Sequence, residues 1–307
     1  MKNANPTSRV DNLSSESVSP PDFQNLGGNA DFDPNPLKRW ASSMFIRRMS
    51  NINLRDKQRR NAEKARKKKG GPHEVHYFHE MDDGYSLLAV QVLEQFHSKY
   101  DIKLVCHIAR RESSDNVPEP NLLSKLSLSD GKLIAPHFNL LFPDTETAPE
   151  PELVKQSQKI AIDMAKTHRF SDLVGLTTAV ISNNHEQIKI LDQQSPDTSA
   201  EEIERQLSKS NNLRQELGHY SGAMFYYAGE WYWGIDRLYH LETRLIELGA
   251  ISDGSDKLLC PRPDIVMGPA RASGDLNLRF FPSLRSPYTS IIYDKTVELA
   301  RETGVQL

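Results

Sequence analysis

The sequence predicts an α/β domain over residues 73–250, built in the order βαβ, helical insertion, ββα. Two observations carry this reading. A strand–helix–strand pattern runs from Glu74 to Ile108, and an aromatic hairpin followed by a helix runs from Met224 to Leu248. A third observation sets the domain's N-terminal edge: residues 37–71 hold thirteen Lys and Arg against Asp56 and Glu63, a net of +11, which leaves −14 for the rest of a chain whose formal net charge is −3.

The first strand is Glu74–His79. The helix expected next, Tyr85 to Tyr100, carries Leu88, Val92, Leu93 and Phe96 on one face. A second strand follows at Ile102–Ile108. Two strands joined through one helix pair in parallel with a right-handed crossover. Residues 109–150, with prolines at 118, 120, 136, 143 and 149, read as loop-rich. Residues 151–215 read as helical: Pro151 suits a first helical position, and Val154, Ile160, Ala161, Met164 and Ala165 make an apolar stripe. Pro196 breaks that run, and Thr198 or Ser199 can cap the next helix ahead of Glu201 and Glu202. The helical insertion thus spans about 115–215. The hairpin Met224–Ala228 and Trp231–Trp233 turns at Gly229, and the helix Asp236–Leu248 stops at Gly249. Residues 251–275 read as a linker, and Leu276–Phe281 reads as another strand. A helix from Ser286 to about Thr303 follows, so 276–307 would open a second, incomplete domain.

At 37% hydrophobic and 26% charged residues, the composition fits a globular protein with disordered sequence attached. No run approaches the roughly 18 apolar residues of a membrane span. The first residues contain no apolar h-region of a secretory signal, so a cytoplasmic location is expected. Cys106 and Cys260 are far apart and neither belongs to a Cys-x-x-Cys pair, which argues against a disulfide framework and against disulfide exchange. Residues 1–36, rich in Asn, Ser, Pro and Asp, read as disordered. Residues 37–72 read as a basic helical arm. Trp40, Met44, Phe45 and Met49 lie beside arginines there, which fits an anionic membrane surface or an acidic protein better than DNA. No groove-reading nucleic-acid motif is present.

Two stretches, VHYFHEMDDGYSLLAVQVLEQF and GAMFYYAGEWYWGIDRLYHLETRL, resemble the opening strand–helix and the closing hairpin–helix of the DsbA-like superfamily. In pattern the chain is most similar to the 2-hydroxychromene-2-carboxylate isomerases and kappa-class glutathione transferases. The resemblance covers about 73–250 and implies a thioredoxin-like fold. LRFFPSLRSPYTSIIYDKTVELA resembles the family's first strand and helix again, as the start of a tandem copy.

The resemblance implies a glutathione site and an aromatic or electrophilic small-molecule substrate. The family's active-site motif caps the first helix; here that position reads Asp82-Asp83-Gly84-Tyr85-Ser86. Asp83 stands where the isomerases carry the serine beside the glutathione sulfur. At a helix N-terminus it is expected to be ionised and to repel a thiolate. It would then serve as a base, bind a cation, or simply cap the helix. Ala223 occupies the family's cis-proline position, where a trans bond is expected. Asp236, in the retained Gly234-Ile235-Asp236-Arg237-Leu238, matches the residue that holds the γ-glutamyl amine; its alternative is another cap, with Arg237 paired to a nearby acid. Ser286-Pro287-Tyr288-Thr289 matches the isomerase motif fully, with Ser286 as the glutathione-activating serine, although Ser-Pro also opens helices in general. Tyr85 and Tyr288 are the tyrosines of the two motifs. His73, His76 and His79 tempt a metal reading, but on a strand His76 points away from the other two. Cys106 reads as a buried small apolar residue, and the hairpin aromatics as core or as a stacking surface.

Overall fold

The computed structural model describes residues 35–49, 51–111, 117, 119–145, 147–252, 254–263, 276–282 and 287–307. The expected disorder of residues 1–36 therefore falls almost wholly outside the described residues. The chain divides into two compact units, 1–61 and 62–307.

The first unit holds α1 (Pro36–Met49) and most of α2 (Ile52–Lys69). One continuous arm was expected. Two helices form because Asn51 accepts the N–H groups of Asn53 and Leu54 at 3.0 and 3.4 Å, starting a new helix there. The last two turns of α2 belong to the second unit, ahead of the expected start at 73. Arg66 donates to the Gly71 carbonyl at 2.7 Å and pairs with Glu63 at 2.7 Å.

The second unit is α/β around a four-stranded mixed sheet. Its strands are β1 (His73–His79), β2 (Ile102–Ile108), β3 (Met224–Tyr227) and β4 (Glu230–Trp233), in the order β2-β1-β3-β4. β1 runs parallel to β2 from His73↔Ile102 to His79↔Ile108, and antiparallel to β3 with Val75 opposite Tyr227. β3 and β4 form the antiparallel hairpin, with Met224 opposite Trp233. One face buries Val75, Tyr77, Leu104 and Phe225 in the main core. On the other face Phe78 packs between His107 and Trp231.

The crossover helix is broken into α3 (Gly84–Val90) and α4 (Leu93–Lys99). The Gln91 side chain donates to the Leu87 carbonyl at 3.0 Å, competing with the helix's own bonds. It also makes two bonds to the Leu141 backbone. The stretch expected to be loop contains α5 (Pro120–Ile134), which starts on a proline as first helical turns tolerate. The helical run is α6 (Pro151–Lys166), α7 (Phe170–Ile181), α8 (His185–Gln193) and α9 (Ala200–Glu216). Ser199 caps α9 by accepting the Glu202 N–H. After a short 3-10 turn, α10 (Leu238–Glu247) closes the sheet, and Gly249 follows in the left-handed conformation.

The linker reading fails at its start. Buried Glu242 accepts the Leu259 and Cys260 N–H groups at 2.7 and 3.0 Å, so this segment is bonded to the domain; residues 264–275 lie outside the described residues. The expected strand Leu276–Phe281 reduces to one bridge. Asn277 pairs in parallel with Gln306, on either side of α11 (Pro287–Thr303). No helix among the described residues is long and apolar enough to cross a membrane.

Candidate functional site

The turn after β1 carries Glu80, Asp82 and Asp83, and the loop before β3 meets them. Asp83 is the N-cap of α3: it is extended, and its Oδ2 accepts both the backbone N–H and the hydroxyl of Ser86 at 2.8 Å. The Ser86 hydroxyl in turn accepts the N–H groups of Glu80 at 3.2 Å and Ala223 at 3.0 Å. One side chain therefore ties the strand end, the helix start and the β3 loop together.

The closeness depends on two glycines. A Cβ on Gly222 would lie 3.0 Å from the Ser86 hydroxyl and 3.1 Å from Asp83 Oδ2. A Cβ on Gly84 would lie 2.2 Å from the Ser127 carbonyl oxygen, so α5 sits directly over the first turn of α3. Both approaches bury Asp83 to 5% exposure. Burial pushes its carboxyl above the usual range, outweighing the pull of Arg111 and the bonds from Ser86. The expectation that the helix N-terminus would keep it readily ionised is corrected: desolvation is the larger effect here.

Glu80 is also buried. Its carboxylate meets the fully buried Arg214 of α9 at 2.6 Å and Arg111 at 3.5 Å. Burial pushes Glu80 up to about 7; Arg214 and Arg111 oppose this, while Asp82 and Asp83 add to it. Arg111 lies 3.7 Å from Asp82, and its guanidinium is raised by these carboxylates against the effect of burial. Arg214 also donates to the Arg110 carbonyl at 2.7 Å, and its Nε has no hydrogen-bond partner. Three carboxyl groups thus gather about two guanidiniums.

A cleft opens beside this cluster, between Tyr85, Arg111, Tyr220 and Trp233, with Glu80 and Asp83 at its floor. Tyr85 and Trp233 meet edge to face at 5.8 Å, and Tyr85 donates to Asp130 at 2.8 Å. Burial raises the Tyr85 phenol. The cleft's free volume is about 20 Å³, room for about one water. That is far less than a tripeptide occupies.

Of the residues expected at the site, Asp83 and Tyr85 line this cleft, and Ala223 stands behind Asp83 through Ser86. No cis bond occurs among the described residues; Ala223 is trans with φ 53°. Its N–H goes to Ser86 and its carbonyl accepts from Gly234 at 2.8 Å, so neither group is left for a ligand. Asp236 is about half exposed and itself pairs with Arg237 at 3.2 Å; it does not cap α10, which has no side-chain cap. Ser286 lies outside the described residues, and Tyr288 is 80% exposed on α11. Reading the sequence overlooked Glu80, Arg111 and Arg214. One signal was available for Arg214: it follows Leu207, Ser210 and Asn211 on the buried stripe of α9.

The histidines take separate partners: His73 bonds Tyr227 at 2.6 Å, His76 bonds His107 at 2.9 Å, and His79 bonds Thr177 at 3.0 Å. Burial pushes the Cys106 thiol up to about 12, which suits packing rather than nucleophilic attack. Fully buried His79 is pushed down to about 3. It stays neutral in the native state while the unfolded chain protonates below about 6.5. Stability is therefore expected to fall as the pH drops from about 6.5 towards 3, with His79 contributing about 1.4 kcal/mol per pH unit. Denaturant melts across that range check this, and His79→Gln should show a flatter profile. Set against models of known families and against curated proteins, the chain matches none.

Proposed function

We propose that residues 73–250 are a thioredoxin-like domain of the DsbA-like kind, nearest in pattern to the 2-hydroxychromene-2-carboxylate isomerases, that has left thiol and glutathione chemistry and acts as a non-catalytic interaction module. The sheet order and strand directions support the fold, since they follow the βαβ and ββα units that the resemblance implies. One observation carries the loss of chemistry. The position that would face a thiol holds Asp83, buried and committed to Ser86. A carboxyl there offers no sulfur, and its Oδ2 already accepts both the backbone N–H and the hydroxyl of Ser86. Ala223 and the small cleft point the same way.

A second reading concerns residues 276–307. The parallel pairing of Asn277 with Gln306 around α11 supports a second thioredoxin-like opening. In that reading Ser286 donates its hydroxyl to a glutathione thiolate, with Tyr288 beside it. An aromatic or electrophilic small molecule is the substrate.

For the first domain, no reduction of insulin by dithiothreitol is expected above the uncatalysed rate. Acceleration that disappears in Cys106→Ser would contradict the proposal.

A further inference from the structure

We propose that α1 and the first turns of α2 form a docking surface for anionic phospholipid bilayers. On α1, Leu37, Trp40, Met44 and Phe45 are 75%, 63%, 54% and 63% exposed. At 3.6 residues per turn they share an arc of roughly 140°. Lys38 and Arg47 flank that arc, Arg39 lies on the opposite side of the helix, and Arg48 falls within the arc at the helix end. At the corner with α2 a groove of about 620 Å³ continues the same chemistry, with Phe45, Ile52 and Leu54 alongside Arg48 and Arg55. α2 then carries eight further Lys and Arg after Arg55, up to Lys69.

Each feature separately fits several polyanions; together they select a lipid surface. A nucleic acid is held through its phosphates by Lys and Arg, and leaves four large apolar side chains in water. An interfacial helix buries its apolar arc at the headgroup–acyl boundary while its cations reach the phosphates. Tryptophan is enriched at that depth. The net +11 of residues 37–71 supplies the attraction to an anionic leaflet.

The test uses the full chain and sedimentation with vesicles of phosphatidylcholine alone or mixed with phosphatidylserine, at low and high salt. Binding to the anionic vesicles is expected to exceed binding to neutral ones at least tenfold and to weaken with salt. Arg47→Gln with Arg48→Gln should weaken it about 30-fold, at about 1 kcal/mol per charge. Trp40→Ser with Phe45→Ser should weaken it at least tenfold. Both pairs are exposed, so the fold stands in each variant. Equal sedimentation by Trp40→Ser/Phe45→Ser would overturn the proposal, as would equal binding to neutral vesicles. Tighter binding to single-stranded RNA or polyglutamate than to the anionic vesicles would overturn it too.

Discussion

Arg214→Met is expected to destabilise the domain by about 3–5 kcal/mol at pH 8, because it leaves the Glu80 carboxylate buried without its close partner. For a domain of this size that is a fall in Tm of about 6–20 °C. The deficit has a predicted pH dependence. Glu80 sits above its ordinary value already, and losing Arg214 raises it further. A carboxyl raised in the native state costs stability as pH rises from about 4.5 through its folded value. The variant's deficit should therefore be smaller at pH 5.5 than at pH 8. Glu80→Leu combined with Arg214→Met removes both charges and should recover most of the loss, since buried pairs are often replaceable by apolar residues of similar volume. Equal stability of Arg214→Met and the parent would show that the pair contributes nothing.

Ala223→Pro is expected to cost at least about 3 kcal/mol. The family's proline cannot simply be returned to this position. The backbone there has φ 53°, whereas proline is held near −65°. Proline also lacks the N–H that Ala223 donates to the buried Ser86 hydroxyl. Ala223→Gly, by contrast, relieves a left-handed alanine and should be neutral or stabilising by about 1 kcal/mol. Urea melts of the two variants separate these effects. A stable Ala223→Pro chain would mean that the loop can re-form with the family's geometry.

The sequence was most legible where a signal is local. The strands of the sheet were readable because apolar and aromatic runs with turn residues between them have few other solutions, and β2 appears with its expected bounds. The Ser199 cap and Gly249 stop are local chemistry and were readable too. The break between α3 and α4 was not, because Gln91 gains its partner from Leu141, fifty residues away. The helix α5 was missed because the prolines in and around it suggested loop, although Pro120 occupies the first turn, where proline costs little. At the site, Asp83 as a cap was readable and its raised pKa was not. Its depth comes from Gly222 and from α5 packed over Gly84, both distant in sequence. Glu80 and Arg214 are 134 positions apart, and only folding reveals that they pair.

The most direct test of the account is a calorimetric titration of the full chain with reduced glutathione, beside Asp236→Ala. The account predicts no saturable heat up to millimolar glutathione, and no difference between parent and variant. Micromolar binding by the parent, lost on Asp236→Ala, would contradict it and show that residues 73–250 keep a working glutathione site.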